Sequence, residues 1–178
     1  MILKKEDDSR VFLENKRKMK WVDRKSGHDC FMLFPRSLYI TWGGHEYWSW
    51  NCFKETGEEN IEVAKLSHVC WLDVRGKFNM ADLSPGTAYE VIYVVKLTKG
   101  ASGWELPITL KLSLPNGEVR ERQVVLLQKP VGQWIELNVG NFLTKKGDKG
   151  EVCFDVFEHG GHWKNGLIVK GAILRPKY

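Results

Sequence analysis

At 178 residues the chain is long enough for one domain with a core of its own, and its 43% hydrophobic and 28% charged residues are ordinary for a soluble globular protein. No apolar stretch approaches the length of a membrane-spanning helix, so membrane insertion is not expected. The formal net charge of +5 is scattered over residues 16–20, Arg120 with Arg122, and residues 145–149, each with acidic neighbours. A dedicated nucleic-acid binder shows a stronger basic footprint, which makes RNA binding a weak expectation.

Residues 1–9 are charged and are expected to be a flexible N-terminus ahead of a single domain over 10–178. "RVFLENKRKMKWVD" sets two short apolar runs around a polar "ENKR" and predicts a hairpin. "SGHDCFMLFPRSLYITW" predicts two strands broken near Pro35, which cannot donate to a ladder. Further strands are expected at "IEVAKL", "VCWLDVRGKF", "AYEVIYVVKL", "PITLKLSL", "EVRERQVVLL", "QWIELNV", "EVCFDVFEH" and "GLIVKGAILR". "KGASG" and "KKGDKG" are among the turn signals that separate them, and Asn116-Gly117 is the strongest hairpin signal. "YEVIYVVKL" is apolar on both faces and reads as a central strand, while "VGNFLTKK" alone suggests a short helix. About eleven strands with almost no helix predict an all-β fold, an antiparallel β-sandwich of jelly-roll-like form.

The four cysteines, Cys30, Cys52, Cys70 and Cys153, show no CxxC spacing, so no zinc site or other cofactor is expected. No secretory signal is visible, which points to reduced thiols and a cytoplasmic location.

The aromatic content is the outlier, with 8 Trp, 8 Phe and 5 Tyr. "ITWGGHEYWSW" gathers three of the tryptophans around a Gly43-Gly44 turn. An extended segment after that turn would face Trp48 and Trp50 the same way, with Trp42 opposite them. Indole faces stack on the apolar C–H face of a sugar ring, while carboxylates and amides take its hydroxyl rim. A second stretch, "EVCFDVFEHGGHWKNG", presents Glu158, His159 and Trp163 around a glycine turn. Trp71, Trp104 and Trp134 are assigned to the core or to turn packing. Glycosidases place two carboxylates about 5 to 9.5 Å apart. On a straight strand Glu151 and Glu158 would lie about 23 Å apart on opposite faces, so binding rather than catalysis is expected.

"WVDRKSGHDCFMLFPRSLYITWGGHEYWSW", "EVAKLSHVCWLDVRGKF" and "NGLIVKGAILRP", in that order, resemble the phloem protein 2 family of plant lectins related to the tobacco Nictaba lectin. The resemblance runs from about residue 11 to the C-terminus. It implies a non-catalytic carbohydrate-binding protein for N-acetylglucosamine oligomers (chitooligosaccharides), or for glycoproteins through their N-glycans, that needs no metal. It also implies a plant protein of cytoplasm, nucleus or phloem sap, often a homodimer. Transferred by motif, the sugar contacts are Trp42 and Trp48, with Glu151 and Glu158 as the acids; Cys153 replaces the second acid of the family's "GEVE". Trp50, His159 and Trp163 are added from the residues themselves. The opening segment is most similar to the branch whose members often carry an F-box upstream; an F-box requires some forty residues and about ten precede the match, so that role is expected only if the sequence is a piece of a longer chain. The alternative function is therefore a protein-interaction or F-box-type adaptor, or a phloem structural protein, with weak or lost sugar binding.

Overall fold

The computed structural model describes residues 10–52 and 62–178; the expectation for residues 1–9 falls outside them. The chain opens with the expected hairpin, β1 (Val11–Leu13) and β2 (Lys18–Val22), followed by β3 (Asp29–Leu33), a 3-10 turn at Pro35–Ser37, and β4 (Tyr39–Ile40). Then come β5 (Trp48–Cys52), β6 (Glu62–Leu66), β7 (Leu72–Asn79), β8 (Ala88–Ser102), β9 (Ile108–Ser113) and β10 (Val119–Val124). The last three strands are β11 (Ile135–Leu143), β12 (Glu151–Glu158) and β13 (Asn165–Pro176).

Every strand pairing is antiparallel, and the strands form two stacked sheets. The smaller sheet runs β10-β9-β12-β7-β4. In the larger one, β13 pairs with β8 along one edge and with β3 and β6 along the other. β11 lies beyond β8, and β5 beyond β6. The molecule is an all-β antiparallel sandwich, as its strand-and-turn pattern predicts.

Alternation decides what faces the core. On β7, Leu72, Val74 and Phe78 are buried while Arg75 and Lys77 are exposed, the period-2 pattern of a half-buried strand. Val152, Phe154 and Val156 of β12 and Ile108, Leu110 and Leu112 of β9 meet Tyr89, Val91, Tyr93 and Val95 of β8 in one continuous core. Each such fully buried side chain stabilises the fold by about 1.5–3 kcal/mol. β8 is central and buried on both faces: Ile92 and Val94 pack with Met19, Met32, Phe34 and Ile173 in a second, smaller cluster on the other side of the large sheet. Gly76, opposite Phe154 in the ladder, leaves room for that ring, since a Cβ there would lie 2.1 Å from Phe154 Cε2.

Two local expectations are corrected. Residues 139–143 are strand rather than helix, because β11 continues past a register shift at Asn138–Gly140 and pairs with β8 through Leu143. The "KGASG" turn is absorbed by β8, whose pairing with β13 extends to Ser102, where the Asn165 side chain accepts from the Ser102 amide at 2.9 Å.

The outer face of the small sheet is polar. Asp73, Arg75 and Lys77 of β7 alternate with the core-facing residues, as do Cys153 and Asp155 of β12 and Lys111 and Ser113 of β9.

Candidate functional site

At one end of the sandwich three chain segments converge, after β4, between β6 and β7, and between β12 and β13. The Thr41 amide donates to the Asp73 carbonyl at 3.0 Å, and the Ser67 and His68 amides both donate to the Tyr47 carbonyl, at 2.8 and 3.2 Å. Val69 and Lys164 exchange backbone hydrogen bonds of 3.1 and 2.8 Å in an isolated bridge. These bonds fix three loops that carry exposed indoles: Trp42 is 54% exposed, Trp71 45% and Trp163 56%.

Each indole is braced by a second ring. Trp42 meets Tyr47 edge-on at 5.2 Å. Trp163 stacks on His68 at 3.9 Å with planes 2° apart, and Trp71 on His159 at 3.6 Å with planes 4° apart. A braced ring has little rotamer freedom left to lose when a ligand lies on its open face.

The histidine under Trp71 is held in turn. His159 Nε2 lies 2.8 Å from Asp73 Oδ2, and Arg75 donates to both Asp73 oxygens through Nε at 2.7 Å and Nη2 at 3.0 Å. Burial opposes ionisation of Asp73, but the hydrogen bonds from Arg75 and His159 outweigh it and hold the carboxyl below its ordinary range.

Behind Trp163 the fully buried Lys164 organises the loop. Its ammonium lies 2.8 Å from Glu158 Oε2 and donates to the carbonyls of Cys70, Gly160 at 3.4 Å and His162 at 3.2 Å. Glu158 also accepts from the Gly160 amide at 3.0 Å, and His162 Nε2 stands 3.4 Å from it. Burial raises the Glu158 pKa, yet Lys164, the Gly160 N–H and His162 together bring it below the usual value. The Glu158 side chain is only 15% exposed, so most of its capacity is used in holding the loop together.

The residues singled out in the sequence therefore divide. Trp42, Glu158, His159 and Trp163 come together at this end. Trp48 does not present a face to solvent: it is 1% exposed, because β5 joins the large sheet beside β6 and turns that face inward. Trp50 follows it inward and is half-buried, its Nε1 donating to the Gly43 carbonyl at 2.9 Å and its ring covered by the Arg36 guanidinium at 3.9 Å. Glu151 lies at the far end of β12, facing Asn79 in an unbroken ladder that sets Glu158 against Leu72, and it pairs with Lys77 at 3.8 Å. No bulge brings it to Glu158, so the two acids stay about 23 Å apart.

The residue missed is Trp71. Trp104 is buried as assigned, but β7 begins only at Leu72, leaving Trp71 in the preceding loop. The histidine partners His68 and His159 and the glycine-flanked Trp163 were the available signal for a ring cluster there.

Among the described residues, no group of three or more His, Cys, Asp or Glu is placed to hold a metal ion, and no helix is long and apolar enough to cross a membrane. Cys30, Cys70 and Cys153 are not joined in disulfides.

The family model for phloem protein 2 matches residues 28–176. The protein PHLOEM PROTEIN 2-LIKE A1 of Arabidopsis thaliana is 45% identical over 174 residues, covering 95% of this chain and 70% of its own. A protein of Luffa acutangula named lectin is 43% identical over 169 residues, covering 94% of this chain and 80% of its own. Among solved structures, the Podospora anserina GH26-CBM35 β-(1,4)-mannanase matches with a TM-score of 0.51 at 13% identity, over 84% of this chain and 28% of that one. That last likeness is one of fold alone. With a family match across most of its length and two relatives above 40% identity, the chain belongs to the phloem protein 2 family.

Proposed function

We propose that this protein is a non-catalytic lectin that binds N-acetylglucosamine oligomers at the loop end of the sandwich. The observation that carries the proposal is the set of three exposed indoles, Trp42, Trp71 and Trp163, each held by a second ring. Flat faces held in place suit the C–H side of pyranose rings. His159 and His162 have Nε2 engaged by Asp73 and by Glu158 with the Gly103 carbonyl, which leaves Nδ1 of each for the hydroxyl and acetamido groups of the rim. The name of the Luffa relative supports a sugar ligand. Sites of this open kind bind with constants of roughly millimolar to micromolar, about 4 to 8 kcal/mol.

Isothermal titration with chitotriose tests the proposal. Trp71→Ala and Trp163→Ala are each expected to weaken binding by about tenfold, or about 1.4 kcal/mol. Trp48→Phe, a change inside the core, should leave affinity within about twofold. Unaltered binding in both alanine variants, or no heat from the parent protein at several millimolar ligand, would reject the site.

A further inference from the structure

On the outer face of the small sheet, away from the indoles, lies a groove of about 410 Å³ lined by Tyr39, Arg75, Lys77, Lys111, Cys153 and Asp155, with Ser113 at its side. Its floor is a sheet, where polar side chains point outward at alternate positions and need no ligand to explain them. Asp155 is the exception. It is only 9% exposed, and its Oδ1 is buried without a hydrogen-bond donor from the chain. In the ladder it stands directly between Arg75 on β7 and Lys111 on β9. Arg75 has two of its nitrogens committed to Asp73, and Lys77 pairs with Glu151 at 3.8 Å and lies 5.2 Å over the Tyr39 ring. Cys153 stands between Lys77 and Ser113, and burial keeps its thiol protonated by raising its pKa.

A buried carboxylate oxygen without a donor costs free energy, so its retention in a groove calls for a donor from outside. The flanking ammonium and guanidinium groups call for an acceptor carrying negative charge. A sulfate answers the cations but brings no donor to Oδ1. A neutral sugar brings donors but sets no charge of its own before Lys111. A uronic acid residue carries a carboxylate and vicinal hydroxyls on one ring, and Tyr39, 58% exposed at the groove's edge, offers a ring to its C–H face.

We propose that this groove is a second saccharide subsite, selective for an acidic sugar of the uronate type, with Asp155 accepting from a hydroxyl and Lys111 and Arg75 facing the carboxylate. It rests on the carbohydrate-binding proposal above, but on different residues. The groove and the loop end are continuous along β7, since Asp73 binds both Arg75 and His159.

The test is calorimetric titration of the same protein with trigalacturonate and, separately, with chitotriose. Trigalacturonate is expected to bind the parent chain, and Asp155→Asn and Lys111→Ala should each weaken it by about tenfold while leaving chitotriose binding unchanged. Trp71→Ala should do the reverse, so a silent chitotriose titration rejects the loop site without touching this one. Absence of trigalacturonate heat at several millimolar, or equal binding by all variants, overturns the subsite. So does tighter binding of an oligouridylate with the same dependence on Lys111, which would make the groove a phosphate-backbone site.

Discussion

Asp155 and Glu158 lie three residues apart on one strand, and their surroundings push the two carboxyls in opposite directions. Glu158 closes β12 where the sandwich opens into a loop, within reach of the Lys164 ammonium, the Gly160 amide and His162. Those partners overcome its burial and favour the ionised form. Asp155 sits mid-sheet, where burial raises its pKa and Arg75 and Lys111 only partly offset that. The first acid is held within the chain by the Lys164 ammonium, 2.8 Å from Oε2, and by the Gly160 amide on Oε1, and it stabilises the loop that carries Trp163. The second is left with an unanswered oxygen beside two cations. A site built for structure and a site left open for a ligand can thus occupy one strand, and the distinction lies in the cation held against the carboxylate rather than in the residue type.

The largest test of that contrast removes the partner of the satisfied acid. Lys164→Met should cost about 3 kcal/mol, the low end for breaking a buried ion pair, since Glu158 keeps some contact with water. It should also abolish chitotriose binding, because the loop around Trp163 loses its hub. Denaturant midpoints would show it, and an unchanged midpoint would mean that Glu158 and Lys164 are not coupled.

A smaller effect separates the two acids by pH. For Glu158 and Asp73, folding lowers the pKa, so their contribution is complete above the unfolded carboxylate range of about 4 and is lost as pH falls through the lower folded values. For Asp155 the sign reverses: its raised pKa costs stability above that range, and the cost disappears on acidification. Glu158→Gln is therefore expected to destabilise the fold at pH 7, whereas Asp155→Asn should be neutral or stabilising there. Both differences should shrink by about pH 3. If Asp155→Asn destabilises at pH 7, the carboxylate has a partner within the fold and the groove loses its argument.

Much of the architecture was legible because a half-buried sheet writes its alternation into the chain. β7 and β12 show it residue by residue, and Asn116-Gly117 marks the β9–β10 hairpin. The stretch 139–146 misled because a glycine and a bulge interrupt the alternation of β11, while its pairing with β8 depends on residues about fifty positions away. The aromatic site was legible only in part. Trp42 precedes Gly43-Gly44 and Trp163 lies two residues after Gly160-Gly161, where a strand cannot simply continue. Trp48 and Trp50 share a face of β5, but which face meets the core is decided by β6 and β13, not by the local sequence. Trp71 was hidden because "HVCWLDV" looks like uninterrupted strand. The Val69–Lys164 bridge takes the pairing first, and β7 starts one residue too late to include Trp71.

Trp42 carries the smallest and sharpest of these tests. Its backbone is left-handed, with φ of 58°, a conformation that costs a bulky residue about 1–2 kcal/mol relative to glycine. The chain holds it there through the Thr41 amide on Asp73 and the tight approach of Gly43, where a Cβ would fall 2.8 Å from the Ile40 carbonyl oxygen. The ring is more than half exposed and recovers part of that cost through its edge contact with Tyr47. Strain kept at an exposed aromatic is what a binding role would select and a folding role would not. Trp42→Gly should then leave the protein as stable or raise its stability by about 1 kcal/mol, while weakening chitotriose. A loss of stability comparable to that of a core substitution would place Trp42 with Trp48, as part of the fold rather than of the site.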